Sequence, residues 1–363
     1  MKRVLFILDN LGPGGAQRQV VTVARLLKKS GKDVTVMCYG VQDFFAPILK
    51  EANIPVVWNT EEKALNRIFK VRRFVRHGGF DVVISFLHTE NILNILSSLG
   101  GHRWKVICGE RSAKEGAFSS MKGRFHGLLM YFSNSIVCNS ENARNMWLRH
   151  YPNYQAKLKV IYNSVTLNSL NSSYAPLKNG KLNIVIAASY QYLKNPIGLV
   201  EGINLLPIEV KNHLKVDWYG RKEVVAGDFR AYNETCALIK KYNLGQVISL
   251  NEETNDIHNK MIEADIVALF SWVEGLPNCI CEGMTLGKPI IMTKVSDYNI
   301  LVDKSNGFLC DWNAPETIAK AIEGLVRMEI SELRSLGENS KKKAENLFSS
   351  EVVLEKWTSV IDD

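Results

Sequence analysis

Residues 265–293 read D-I-V-A-L-F-S-W-V-E-G-L-P-N-C-I-C-E-G-M-T-L-G-K-P-I-I-M-T. The run Asp265 to Trp272 is apolar and opened by an acid, the pattern of a strand buried on both faces of a parallel sheet. Ile290 to Thr293 reads as the next strand. Between them, Gly275, Leu276, Pro277 and Asn278 form a tight turn, and Ile280 to Leu286 can be helical. Such a loop lies at the carboxyl end of a strand, where open parallel sheets take their ligands. A helix starting there points backbone N–H groups outward, which suits a phosphate. Glu274 and Glu282 stand beside that site. Acids next to an anion make sense when they accept hydrogen bonds from sugar or ribose hydroxyls. A solvated turn with two surface acids is the plain alternative from spacing alone.

Working outward, two βαβ patterns frame this stretch. Val4 to Leu8 is a strand, Leu11 to Gly15 a glycine-rich turn, Ala16 to Lys29 a helix and Val34 to Cys38 the next strand. Gly14 and Gly15 let a ligand approach the backbone at a helix start, or serve only as a packing turn. The turn lacks G-x-G-x-x-G, so no dinucleotide fingerprint is present. In the second half, Leu182 to Ala188 is a strand, followed by Ser189 to Asn195 and a helix opened by Pro196. Alternating strands and helices of this kind predict α/β architecture.

These motifs carry a resemblance. Glu274 and Glu282, with seven residues between them, resemble the E-x7-E motif of retaining GT-B glycosyltransferases of family 4. E-G-M-T-L-G-K-P-I-I-M-T is similar to that family's E-A-M-A-x-G-x-P-V-V-A-T, and Asn306-Gly307-Phe308-Leu309 to its N-G-x-L. G-G-A-Q-R-Q at 14–19 resembles its G-G-A-E-R turn, and the loop ending Lys194-Asn195 its G-R-x-x-x-x-K-N. The resemblance covers nearly the whole chain. It implies a GT-B fold, two Rossmann-like α/β/α domains facing across a cleft. The expected domains are residues 1–175 for the acceptor, 176–345 for the nucleotide sugar, and a C-terminal helix at 346–363 crossing back to the first domain, with Trp357 as its anchor.

The same resemblance implies site roles. Lys194 would contact the donor diphosphate, Glu274 the transferred sugar and Glu282 the ribose, with the turn Gly275-Leu276-Pro277-Asn278 and the backbone N–H groups after Glu274 on the phosphates. Glu274 as a nucleophile is the other possibility; a positioning role is preferred, since the motif sets no second acid beside it. Ser189 stands where the family has arginine, and Arg221 is a candidate replacement. Where many relatives carry histidine after the strand Lys105 to Cys108, this chain has Glu110 and Arg111, candidates for a sugar contact or general acid. His88, after the strand Asp81 to Phe86, is an acceptor-site candidate or a cap. The loop at 295–301 departs from the family's G-G-x-x-E. The expected reaction is transfer of a hexosyl group with retention, from a nucleotide sugar, UDP-linked being the commoner case. No aspartate pair has metal-binding spacing, so no cofactor and no metal are expected. A phosphorylase or epimerase on the same frame, or a non-catalytic nucleotide-sugar or glycan-binding protein, are the alternatives.

Composition narrows the partners. The 363 residues are 46% hydrophobic, enough for two cores. Residues 1–175 hold 24 Lys and Arg against 11 Asp and Glu, whereas 176–363 hold 21 against 26. A basic first half suits a phosphorylated acceptor and an anionic membrane surface. Two segments interleave basic and apolar residues, Glu61 to Gly79 and Lys114 to Phe132, and could form one lipid-facing surface. An outer helix of an α/β domain is the alternative for the first. No nucleic-acid motif is present, so nucleic acid is not expected as a partner. With the family resemblance, the basic first half implies a glycan acceptor on a polyprenyl diphosphate in surface-polysaccharide assembly, a soluble sugar acceptor being the alternative. Neither a spanning helix nor a signal peptide is expected, placing the protein in the cytoplasm, peripheral on the inner face of the membrane. The seven cysteines include no Cys-x-x-Cys pair and read as reduced core residues.

Overall fold

A computed structural model describes residues 1–111, 116–165, 180–223 and 226–363. Lys114, the start of the basic and apolar segment Lys114 to Phe132, lies outside the described residues, as do residues 166–179 around the expected domain boundary. The chain forms two compact units, Met1–Ser164 with Ser350–Asp363, and Val165–Ser349. The sequence reading had placed these divisions at 175/176 and 345/346.

The first unit is built on a seven-stranded parallel sheet. Its strands are β1 (Arg3–Leu8), β2 (Asp33–Cys38), β3 (Val56–Trp58), β4 (Val82–Ser85), β5 (Lys105–Glu110), β6 (Ser135–Cys138) and β7 (Leu158–Val160). Their order is β3-β2-β1-β4-β5-β6-β7, so the chain reverses its direction of travel between β1 and β4. Val4 through Leu8 are all fully buried, as a central strand covered on both faces requires. One face is covered by the helix Gly15–Lys29, which buries Val20, Val23, Ala24 and Leu27. The final helix, Ser350–Asp362, joins the same core through Val353, Trp357, Val360 and Ile361. Trp357 stacks on Phe86 with ring centroids 5.7 Å apart, and Lys32 Nζ reaches Asp362 at 2.7 Å.

The opposite face carries the helices Ala64–His77, His88–Ser98 and Met121–Leu129. The outer two both pack against His88–Ser98. Several basic residues of Ala64–His77 are used internally. Arg72 and Arg76 donate to the carbonyls of Leu96, Ser97 and Leu99, capping the end of the neighbouring helix.

The second unit holds six parallel strands, β8 (Leu182–Ala187), β9 (Leu214–Tyr219), β10 (Ile248–Asn251), β11 (Ile266–Leu269), β12 (Ile290–Thr293) and β13 (Gly307–Cys310). Their order is β10-β9-β8-β11-β12-β13, with the reversal between β8 and β11. The helix after β11 runs Asn278–Thr285, starting two residues earlier than its periodicity suggests. A Cβ on Gly283 would lie 2.7 Å from Val267 Cβ, so glycine lets this helix press onto β11. The divergent loop at 295–301 contains a short helix, Tyr298–Leu301. Among the described residues no helix is long and apolar enough to cross a membrane.

Candidate functional site

In the second unit, two loops meet at the reversal point of the sheet. Asn195, at φ +60°, caps the helix Pro196–Leu205 by accepting from Gly198 N at 3.1 Å, and donates to the Trp312 carbonyl at 2.8 Å. The Trp272 N–H donates to the Leu193 carbonyl at 2.8 Å, tying the loop after β11 to the loop after β8. These ties fix Lys194 against Glu274. The ammonium lies 2.6 Å from Glu274 Oε1, and Ser271 Oγ donates to the same oxygen at 2.6 Å. Ser271 is itself fully buried, with its carbonyl held by Thr293 Oγ1 at 2.6 Å. The two charged side chains are 20% and 12% exposed, so the pair is sheltered yet reachable. Glu274 Oε2 takes no hydrogen bond from the described residues.

Beyond Glu274, Ser296 Oγ donates to the Gly275 carbonyl and Leu276 is buried. Ile280 and Cys281 N–H groups turn back to the Pro277 carbonyl at 3.0 and 3.1 Å. The N–H groups of Gly275 and Leu276 make no hydrogen bond within the described residues. The Cys279 thiol is pushed up to about 12, first by burial and then by the charge of Glu274, so it stays protonated. Glu282 is 7% exposed, and its Oε2 lies 3.5 Å from His258 Nε2 on the helix Ile257–Glu263.

A pocket of about 400 Å³ opens at the carboxyl ends of β8, β9 and β10, lined by Ser189, Gly220, Arg221, Glu253, Thr254 and Ile257 among others. A Cβ on Gly220 would lie 1.9 Å from the Ala188 carbonyl, so only glycine allows these strand ends to close up. Arg221 sits on this pocket, but its Nε faces Glu253 at 3.4 Å and both side chains are 63% exposed. No contact of Arg221 with Lys194 or Glu274 is formed.

The remaining candidates lie in the first unit. Gly14 precedes the helix Gly15–Lys29 as its N-cap without a side-chain cap, and no acid occupies the first turn. His88 and the adjacent pair Glu110 and Arg111 line one pocket of about 450 Å³ at the carboxyl ends of β4 and β5. Asn91 bridges these strand ends, accepting from Ser85 Oγ at 2.8 Å and donating to the Gly109 carbonyl at 3.0 Å. Glu110 Oε2 accepts from Trp147 Nε1 at 3.1 Å. The Arg111 guanidinium stacks over Phe86 at 3.9 Å, and Nη1 donates to Asn163 Oδ1 at 3.0 Å. Burial lowers its pKa to about 10, which leaves it charged at neutral pH. Sequence reasoning did not single out His126, which also lines this pocket and lies with its ring centroid 4.0 Å from that of His88, the planes tilted by 30°. Its only signal was a histidine on the pocket-facing side of a helix whose other side is apolar. Among the described residues no group of three or more His, Cys, Asp or Glu could hold a metal ion.

Residues 13–169 match the family model described as Glycosyltransferase Family 4, and residues 173–343 the one described as Glycosyl transferases group 1. Among curated proteins, the chain is 23% identical to a Campylobacter jejuni enzyme over 99% of this chain and 98% of that one. That enzyme is named GalNAc-alpha-(1->4)-GalNAc-alpha-(1->3)-diNAcBac-PP-undecaprenol alpha-1,4-N-acetyl-D-galactosaminyltransferase. This chain is 22% identical, over the whole of both chains, to the amylovoran biosynthesis glycosyltransferase AmsD of Erwinia amylovora. Among solved structures, Anabaena HepE in complex with UDP and glucose superposes with a TM-score of 0.84, at 18% identity and over the whole of both chains. At that identity the likeness speaks for the fold alone.

Proposed function

The chain is a nucleotide-sugar-dependent hexosyltransferase of GT-B fold, related to the family 4 and group 1 glycosyltransferases, and we propose that it transfers its hexosyl group from a UDP-sugar, with retention, to a glycan carried on a polyprenyl diphosphate. The observation that carries this reading is the 2.6 Å pairing of Lys194 with Glu274 at the reversal point of the second sheet.

In this reading the donor diphosphate lies against Lys194 and the N–H groups of Gly275 and Leu276, in the turn completed by Pro277 and Asn278, which stabilise the charge of the departing nucleoside diphosphate. Glu282 accepts from the ribose hydroxyls, and Glu274 accepts from a hydroxyl of the transferred sugar through its open Oε2. With one oxygen held by both Lys194 and Ser271, Glu274 acts by positioning rather than as a nucleophile. The bond from the anomeric carbon to the phosphate oxygen breaks, its electrons leaving with the diphosphate. The acceptor oxygen bonds the same face of that carbon, and its proton passes to the departing phosphate oxygen. Because Lys194 supplies the cation, the reaction proceeds without metal. Arg221 does not take over the role of the missing arginine; it borders the nucleotide pocket beside Glu253. Gly14 and Gly15, Glu110, Arg111 and His88 belong to the acceptor and sugar side.

The acceptor's lipid places the enzyme on the inner face of the membrane. The helix Met121–Leu129 exposes Met121, Phe125 and Leu128 at 88, 59 and 63%, with Lys122 and Arg124 between them and Tyr131 and Phe132 just beyond. Apolar residues flanked by cations suit an anionic bilayer. The helix Ala64–His77 adds Leu65 and Phe69, but its arginines are largely occupied within the unit.

The test is incubation with UDP-hexoses and a hexosyl-diphospho-polyprenol in chelator, with the product linkage read by NMR. An α-linked product from an α-linked donor supports the reading. A β-linked product, or turnover that stops in chelator, contradicts it.

A further inference from the structure

We propose that the pocket at the carboxyl ends of β4 and β5 seats one neutral sugar ring of the acceptor, and that His126 is a specificity-determining residue that hydrogen-bonds a hydroxyl of that ring through Nε2. The inference rests on the assignment of the acceptor to the first unit.

The lining is that of a sugar site. Phe86, Phe118 and Trp147 supply aromatic walls, and Glu110 and Arg111 supply polar groups at fixed positions. The apolar face of a pyranose packs on aromatic rings, while its hydroxyls seek hydrogen-bond partners. The volume, about 450 Å³, exceeds what one ring needs and leaves room for its neighbour in the glycan.

Two polar atoms of this lining are unaccounted for, Arg111 Nε and His126 Nε2. His126 is 6% exposed, and its Nε2 has no hydrogen-bond partner among the described residues. Buried polar atoms are nearly always partnered, and an orphan beside a cavity points to a ligand. The His88 ring covers His126 at 4.0 Å, is itself exposed, and makes no hydrogen bond within the described residues. It is therefore free to turn aside as the ligand enters.

The chemistry of the ligand follows from the charges. Burial, and then the neighbouring His88, push the His126 pKa down to about 4, so the imidazole is neutral at physiological pH. A neutral imidazole matches a hydroxyl; a phosphate would call for an imidazolium. Arg111 stacks on Phe86 and donates to Asn163 through Nη1, which leaves its Nε to donate to a second hydroxyl, and the Glu110 carboxylate close by disfavours an anion.

The experiment titrates the full chain with methyl glycosides of glucose, galactose, N-acetylglucosamine and N-acetylgalactosamine, and separately with inorganic pyrophosphate. The readouts are ligand-observed NMR and the histidine imidazole signals, with UDP binding measured in parallel. At least one glycoside is expected to bind and shift the His126 signals. His126→Phe, which keeps the ring contact but not Nε2, should weaken that glycoside about tenfold, the worth of one hydrogen bond. His126→Gln, whose amide nitrogen reaches a similar place, should recover most of the loss. Binding unchanged in His126→Phe, binding of pyrophosphate in place of any glycoside, or no binding by either probe would each overturn the proposal. Failure of UDP to bind would tell instead against the donor assignment in the second unit, and leaves the sugar titration readable.

Discussion

Lys194 and Glu274 are separated by 80 residues in the chain and by 2.6 Å in space. Their loops follow β8 and β11, the two strands flanking the reversal point of the second sheet, where a parallel sheet leaves a crevice. Glu274 holds Lys194 in place before any diphosphate arrives. A positioned cation needs little reorganisation as charge develops on a leaving group, and this is where most electrostatic catalysis originates.

Lys194→Ala should therefore reduce turnover by roughly 2–4 kcal/mol of transition-state stabilisation, by analogy with loss of an oxyanion donor. Steady-state kinetics with a saturating UDP-sugar measures this. An unchanged kcat would remove Lys194 from the chemistry.

Glu282→Gln bears on binding instead. The buried carboxylate, 3.5 Å from His258, is assigned to the ribose hydroxyls. Replacing the charge by an amide should weaken nucleotide affinity about tenfold, in line with a charge-assisted hydrogen bond exchanged for a neutral one. Titration calorimetry checks the affinity. A variant that binds UDP as tightly as the wild type would free Glu282 from that role.

The neutral, buried His126 makes acid destabilising. Its folded pKa, about 4, lies below the ordinary value of 6.5, so the unfolded chain takes up the proton more readily. The stabilisation is whole above pH 6.5 and is lost as pH falls toward 4. Between pH 7 and pH 5 this amounts to about 2 kcal/mol. His126→Phe should reduce the pH dependence of stability in that window by a similar amount. Urea unfolding at both pH values, wild type against variant, gives the comparison; identical pH dependence would contradict the burial argument.

The apolar ridge on Met121–Leu129 predicts a separate phenotype. Phe125→Glu combined with Leu128→Glu replaces exposed apolar area by charge without touching the core. Sedimentation with vesicles of anionic phospholipid should show binding reduced at least about tenfold, since each cation near such a surface contributes roughly 1 kcal/mol and each buried methylene about 0.8. UDP binding should not change. Undiminished vesicle binding would place the membrane contact elsewhere.

Much of this architecture can be read from local pattern. The strands Val4–Leu8 and Ile266–Leu269 are short apolar runs, and Glu274, Gly275 and Glu282 lie in one continuous motif. Contacts between distant segments cannot be read that way. No spacing rule links Lys194 to Ser271 and Glu274, or brings His88, Glu110, Arg111 and His126 to one pocket. Nor does the sequence show that Arg221, a cation at a strand end beside the pocket, faces Glu253. The segment Glu61–Gly79 carried both a membrane and a packing pattern because apolar residues serve either. Only the fold shows Val71 and Val75 buried, Leu65 and Phe69 exposed, and the arginines spent on neighbouring carbonyls.

The most direct measurement is calorimetric titration of the full chain with UDP, GDP and ADP, first in chelator and then with magnesium, in the wild type and in Lys194→Ala. UDP is expected to bind selectively in chelator, and Lys194→Ala to weaken that binding. Binding of none of the three, or UDP affinity unaltered by the loss of Lys194, would contradict it.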